Sequence, residues 1–76
     1  MGNKGVEIMQ QWILNGFLTT KQRILGFTIR EVTTKNKTTV IEVCYDGHRI
    51  GTGDESITYG NVQDIVYKYQ AHNDLF

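Results

Sequence analysis

The chain lacks proline, has a single cysteine and contains no long apolar run. Because Cys44 has no second cysteine to pair with, an internal disulfide is excluded. No stretch approaches the ~20 apolar residues that a membrane-spanning helix needs, so we expect no membrane partner. A hydrophobic content of 39% with zero formal net charge is typical of a folded soluble domain and argues against disorder.

The length limits the architecture to one small domain. Residues 1–76 form a single predicted domain, whose core rarely supplies more than ~3–5 kcal/mol of net stability at this size. Because no disulfide is available, dimerisation is the obvious source of further burial, and we expect a homodimer. The first residues carry no apolar signal core, so we expect a cytoplasmic protein with Cys44 reduced.

Charge is distributed unevenly along the chain. Residues 21–37 hold five basic residues against one acidic residue, which is +4, and residues 42–74 hold six acidic against two basic, which is −4. The ordinary interpretation is two solvated surfaces of a small protein. The sharper interpretation is a cationic hairpin beside an acidic end that binds a basic partner.

Hydrophobic spacing predicts a helix at each end of the chain. Residues 5–15 carry an apolar stripe near the 3.6-residue period, made by Val6, Met9, Ile13 and Phe17. Residues 61–71 carry a clearer stripe, for which Asn61 is the predicted N-cap and Asp64 its capping-box partner. That stripe consists of Val62, Ile65, Val66 and Tyr69.

Between the helices, the sequence predicts three antiparallel strands. Residues 24–34 and 38–45 read as two strands, and a three-residue loop between them sets Arg30 opposite Glu42 and Ile29 opposite Val43. Asp46-Gly47 predicts a tight second turn, with Tyr45 opposite His48 and Val43 opposite Ile50. A third strand then covers about His48–Thr52 and ends at Gly51 and Gly53. The prediction is an α+β fold in the order α-β-β-β-α, with a three-stranded antiparallel meander.

Catalytic and metal chemistry finds little support in the sequence. His48 and His72 fall in different predicted elements, and Cys44 has no histidine near it, so we expect no metal, no cofactor and no enzyme activity. Asp54 and Glu55 are adjacent acids in a loop, which are usually solvated.

The segment around the last helix has a specific pattern. It runs Asp54-Glu55-Ser56-Ile57-Thr58-Tyr59-Gly60-Asn61 and continues with Asp64, Val66 and Lys68. An Asp five residues before Tyr-Gly-Asn, a β-branched residue between them, and the following Asp, aliphatic residue and Lys align without a gap to a known family. This segment resembles the C-terminal part of the uracil-DNA glycosylase inhibitor family of small protein-primed Bacillus phages.

The resemblance implies a bacteriophage protein that inhibits a host DNA-repair enzyme, bacterial uracil-DNA glycosylase, by acting as a DNA mimic. Family members are dimers that occupy the DNA-binding cleft of the enzyme and hold its apolar minor-groove wedge in a hydrophobic pocket at the dimer junction. Because such an inhibitor competes with DNA, we expect no direct contact with nucleic acid.

By the same resemblance, Tyr59 would border the pocket, and Asp54 and Glu55 would stand where phosphates lie. The implied partner-binding residues are Asp54, Glu55, Ser56, Ile57 and Tyr59. The stripe of Val62, Ile65, Val66 and Tyr69 could serve the dimer interface, although we favour a role in covering the sheet.

Two other functions remain open. The element order and Gly51-x-Gly53 resemble a double-stranded-RNA-binding domain, which grips phosphates with lysines at the start of its second helix. Here Asp54 and Glu55 precede the last helix and would repel phosphates, so this function ranks below inhibition. A small regulatory dimerisation module with an unknown partner is the third possibility.

Overall fold

The structure is a computed structural model that describes residues 14–75. Helix α1 spans Thr20–Leu25 and helix α2 spans Tyr59–Asn73. Strand β1 spans Phe27–Thr33, β2 spans Thr39–Tyr45, and β3 spans His48–Gly53. The strands form one antiparallel sheet in the order β1-β2-β3. The predicted α+β class and meander are therefore confirmed.

Most of the predicted first helix, residues 5–15, lies outside the described residues. Its last two residues are described, and Leu14 is buried in the core together with Leu18. Phe17, which we placed in the apolar stripe, packs against this core and is partly buried. Leu14 and Leu18 are core residues that the predicted stripe omitted.

Helix α1 replaces the start of the predicted first strand. Thr19 caps the helix, because its hydroxyl accepts from the Gln22 N–H at 3.1 Å and its own N–H donates to Gln22 Oε1 at 2.9 Å. Gly26 ends the helix with a φ of 117°, a left-handed conformation that suits glycine. The prediction of a strand from residue 24 was wrong because a six-residue helix is too short to show a period.

An amide pair joins α1 to α2. The Gln22 and Gln63 side chains donate to each other, at 2.8 Å in each direction. The Gln63 amide also donates to the Phe17 carbonyl at 2.9 Å. These hydrogen bonds fix the segment before β1 against the helix that covers the sheet.

The β1–β2 hairpin has the predicted register. Arg30 lies opposite Glu42 and Ile29 opposite Val43. The Thr34 N–H donates to the Thr38 carbonyl at 2.9 Å, so residues 35–37 form the predicted three-residue loop. Its last residue, Lys37, has a φ of 60°. One face of this hairpin is apolar, with Phe27, Ile29, Ile41 and Val43 buried and Tyr45 partly buried.

The β2–β3 hairpin has the predicted turn but a different register. Asp46 and Gly47 both have positive φ, and Tyr45 lies opposite His48 as predicted. Val43 lies opposite Gly51, not Ile50, because the pairing shifts between Val43 and Cys44. The predicted pair of Val43 with Ile50 was therefore wrong, and β3 continues through Gly51 to Gly53.

Helix α2 covers the apolar face of the sheet. Val62 and Val66 are fully buried, and Ile65 and Tyr69 pack against the core from its margin. A Cβ at Gly51 would lie 2.7 Å from Ile65 Cγ2, so the helix approaches β3 closely only because that residue is glycine. The predicted helix stripe thus covers the sheet, as we favoured.

The opposite face of the sheet carries a row of charges across the three strands. Glu42 in the central strand accepts from Arg30 at 2.8 Å and from Arg49 at 3.5 Å. The hydrogen bond from Arg30 holds the pKa of the Glu42 carboxyl below its usual value. The charges of Arg30 and Arg49 are therefore partly neutralised within the sheet.

Candidate functional site

The segment that leads from β3 into α2 folds back over the sheet. Gly53 lies opposite Ile41 at the end of β3. A Cβ at Gly53 would lie 2.6 Å from Ile57 Cδ1, so the Ile57 side chain rests directly on the glycine backbone. The Ile57 N–H donates to the Asp54 carbonyl at 3.1 Å, which closes the turn between them. Ile57 is thus an anchor that sets the position of its neighbours.

The Asp54 carboxylate is held by hydrogen bonds from Ser56, two residues later in the chain. Its Oδ1 accepts from the Ser56 hydroxyl at 2.6 Å and from the Ser56 N–H at 2.9 Å. These hydrogen bonds hold the pKa of the Asp54 carboxyl below its usual value, so it is ionised at neutral pH. Glu55, at the tip of the turn, is exposed. Two consecutive exposed residues therefore carry carboxylates at this end of the sheet.

Helix α2 begins two residues earlier than predicted. Thr58 is the N-cap, and its hydroxyl accepts from the Asn61 N–H at 3.2 Å. The Asn61 side chain in turn accepts from the Thr58 N–H at 3.1 Å, so Asn61 is the capping-box partner and not the cap. Asp64, predicted as that partner, instead bonds Lys68 one turn on, at 3.1 Å.

An earlier helix start makes Tyr59 the first residue of α2. Tyr59 is 48% exposed, and Tyr67 of the same helix is 62% exposed. The implied partner-binding residues Asp54, Glu55, Ser56 and Tyr59 are all exposed, and Ile57 is partly buried. The structure thus brings the five residues into one short segment with four side chains accessible.

An open cleft lies between this segment and the first turns of α2. Its volume is about 360 Å³, within the range of about 300–1,000 Å³ that is usual for ligand pockets. It is lined by Thr52, Gly53, Asp54, Ser56, Ile57, Asn61, Asp64 and Ile65. Two apolar side chains form part of it, and two carboxylates border it.

This cleft differs from the pocket that the sequence led us to expect. Among the described residues that line it, only Ile57 and Ile65 are large and apolar, so it is mixed rather than hydrophobic. Neither Tyr59 nor Glu55 is among those lining residues. Thr52, Asn61 and Asp64 line it instead, and the sequence did not single out the first of these for any role.

A second hollow, beside the later turns of α2, has different chemistry. It measures about 550 Å³ and is lined by Ile50, Ile65, Lys68, Tyr69, His72 and Asn73. Among the described residues, no carboxylate lines it, and its Lys68 is paired with Asp64 of the first cleft at 3.1 Å. Of these two hollows, the first, which we call the acidic cleft, matches a cationic partner better, because its Asp54 forms no ion pair with a described residue.

The predicted dimer interface overlaps the core of the single chain. Val62 and Val66 have no exposed surface, so a second copy cannot reach them while the sheet is covered. Ile65 and Tyr69 are partly exposed and stay accessible. The dimer itself remains a prediction.

Within residues 14–75, no three His, Cys, Asp or Glu side chains are grouped so that they could hold a metal ion. None of the helices described is long and apolar enough to cross a membrane. Comparison of the chain with protein-family models, with curated proteins and with solved structures finds no match.

Proposed function

We propose that this chain is a protein inhibitor of bacterial uracil-DNA glycosylase, with no catalytic activity of its own. In this proposal, residues 54–59 occupy the DNA-binding cleft of the enzyme and exclude its substrate. The proposal rests on the resemblance of this segment to the phage inhibitor family. The single structural observation that supports it is the acidic cleft, where the ionised Asp54 stands beside Ile57 at an exposed edge.

The chemistry of a DNA glycosylase explains why such a surface would compete with DNA. The enzyme binds phosphates in a positive groove and extrudes the target base from the duplex, which requires the base to be unstacked. Carboxylates at Asp54 and Glu55 supply the negative charge, and exposed Tyr59 supplies an aromatic surface. Complementary charge of this kind favours the encounter and excludes other partners.

A homodimer belongs to the same proposal. One chain offers only Ile57 and Ile65 as large apolar lining of the cleft, so a fully hydrophobic pocket needs side chains from a second copy. Light scattering should give the mass of two chains at the concentrations that inhibit the enzyme. The mass of one chain under those conditions would contradict the dimer but leave inhibition open.

Uracil release from an oligonucleotide tests the inhibition itself. Wild-type protein should block release, and Asp54→Asn with Glu55→Gln should weaken the block about tenfold or more, since a lost charge-assisted hydrogen bond costs about 1.5 kcal/mol or more. Asp74→Asn is the matched control. It removes one carboxylate at the end of α2, at a φ of 56° that asparagine tolerates.

Tyr59 can be tested in the same assay against a tyrosine of the same helix. Tyr59→Ala should weaken inhibition by about tenfold or more, as expected of an aromatic anchor. Tyr67→Ala removes a side chain that is 62% exposed and should leave inhibition unchanged. Full-speed excision in a molar excess of wild-type protein would refute the proposal, as would equal inhibition by the two tyrosine variants.

A further inference from the structure

The β1–β2 hairpin extends beyond the rest of the sheet. Strand β3 ends at Gly53, which lies opposite Ile41, whereas β1 and β2 continue to pair at Val32–Val40 and Thr33–Thr39. Beyond this point, three further residues on the β2 side of the hairpin extend it past the end of β3. At about 3.4 Å per residue, the extension is about 10 Å. We call residues 32–40 the ribbon.

The tip of the ribbon is polar, cationic and accessible. Residues 33–38 are all exposed, and no acidic residue occurs between residues 32 and 41. Lys35 and Lys37 stand at its tip, and neither forms an ion pair with a described residue. Asn36 and the flanking threonines add hydrogen-bond donors. This set of side chains is the kind that contacts phosphate oxygens.

The backbone at Lys37 is the second observation. Its φ of 60° lies in the left-handed region, where glycine and asparagine are favoured. The other described non-glycine residues with positive φ are Asp46 and Asp74, and aspartate tolerates this conformation. This is the conformation that the last residue of a three-residue hairpin loop adopts, so the loop itself fixes the backbone of Lys37 at the tip.

We propose that the ribbon inserts into the major groove of duplex DNA and places Lys35 and Lys37 against the phosphates. The major groove of B-form DNA, about 12 Å wide, admits a two-stranded ribbon. The corresponding groove of duplex RNA is too narrow for side chains to read. This activity is additional to the proposed inhibition and uses different residues.

This inference departs from our expectation that the chain makes no direct contact with nucleic acid. That expectation rested on the competition of such an inhibitor with DNA, and Asp54 and Glu55 would also repel phosphates. The tip of the ribbon lies about 10 Å further out than the end of β3, and at physiological salt this is about one screening length. Asp54 and Glu55 follow Gly53 at the same end of the sheet, so the ribbon tip projects past the end of β3 while these carboxylates oppose its attraction for phosphates.

Titration of a fluorescent DNA duplex of mixed sequence, followed by anisotropy, tests the proposal without any enzyme. Two phosphate contacts predict a slope of about −1.8 for log affinity against log salt, or about 12-fold weaker binding at 200 than at 50 mM salt. Lys35→Gln and Lys37→Gln should each reduce the slope by about 0.9. Lys21→Gln, which removes the same charge from α1, should leave it unchanged.

Two further variants separate DNA binding from folding and from inhibition. Lys37→Gly removes the charge and relieves the strain, so it should bind DNA more weakly while its melting temperature is equal or higher. Asp54→Asn with Glu55→Gln should bind DNA at least as well as the wild type. A loss of DNA binding in this pair would overturn the ribbon as the site, whatever the inhibition assay shows.

Other results would also overturn the proposal. These are no binding to the duplex at low salt, an unchanged slope in both lysine variants, or binding to anionic lipid vesicles but not to DNA. Equal affinity for an RNA duplex of the same sequence would contradict insertion into the major groove.

Discussion

The two hairpins of the sheet share β2 but close in different ways. At Asp46-Gly47 both turn residues have positive φ, and both residue types tolerate it. At the other end the three-residue loop places Lys37 at a φ of 60°, for which lysine is poorly suited. The residue types of the second turn favour its backbone, whereas in the first turn the loop length places a lysine in the left-handed conformation.

The hairpins also differ in how they meet the helix. The β1–β2 pairing is regular throughout, while the β2–β3 pairing shifts between Val43 and Cys44. The shift brings Gly51 opposite Val43 on the face that α2 covers. In the second hairpin, the residue opposite Val43 is thus the glycine against which Ile65 of α2 packs.

The largest change in stability is expected from a substitution at Gly51, the glycine beneath α2. Gly51→Ala would place a Cβ 2.7 Å from Ile65 Cγ2, and the side chain or the helix must move. We expect a loss of about 1–3 kcal/mol in the free energy of unfolding, as for other overpacked cores. Chemical denaturation measures it.

Gly60→Ala is the matched control for this change. Its Cβ would meet no atom closer than 3.8 Å, so we expect a gain of about 0.5 kcal/mol from lower chain entropy. The cost of Gly51→Ala should shrink in an Ile65→Ala background. An undiminished cost there would show that helix approach does not explain the glycine.

A smaller effect, a gain in stability, is expected from a substitution in the first turn. Lys37→Gly should raise the free energy of unfolding by about 1 kcal/mol, because glycine adopts a left-handed φ without a Cβ clash. Asn36→Gly, one residue earlier, should lower it slightly, since no positive φ occurs there. If Lys37→Gly proves destabilising, the contrast between the turns is lost.

The smallest effect concerns the pKa of Glu42, which lies in the shared strand β2 and bonds one arginine in each hairpin. Arg30 approaches it at 2.8 Å and Arg49 at 3.5 Å, so Arg30→Gln should raise the pKa of Glu42 more than Arg49→Gln. Titration of the Glu42 carboxyl by NMR compares the two variants. Equal changes in the pKa of Glu42 would contradict the expectation that Arg30, in the first hairpin, interacts with it more strongly than Arg49, in the second.

The same carboxyl makes stability depend on pH. Because the pKa of Glu42 is lowered in the folded protein, its contribution is complete above the unfolded value of about 4.3. That contribution is lost as pH falls through the folded value. Denaturation curves for wild type and Glu42→Gln should therefore converge as the pH falls below about 4.

Local side-chain pairing allowed part of the fold to be predicted from the sequence. Opposite charges at Arg30 and Glu42 identified the register of the first hairpin. Non-local packing could not be inferred in this way, because nothing local to β3 shows that Ile65 of α2 lies against Gly51. Helix α1 was detectable only from the spacing of Thr19 and Gln22 and from Gly26, which are short capping signals.

The sequence predicted which segment forms the candidate site, but it did not predict the shape of the cleft. Pattern alone placed Asp54 and Tyr59 in one segment, and the structure leaves both accessible. The pattern could not show that Thr58 caps α2, because Asn61 suits either capping position. Nor could it show that Asp64, rather than Tyr59, borders the cleft.

Calorimetric titration of the chain into bacterial uracil-DNA glycosylase, in the absence of DNA, tests the central claim most directly. The wild type and Lys35→Gln with Lys37→Gln should both form a complex with the enzyme. Asp54→Asn with Glu55→Gln should bind about tenfold more weakly or worse. No heat of binding with the wild type, or equal affinity for the carboxylate variant, would contradict the account.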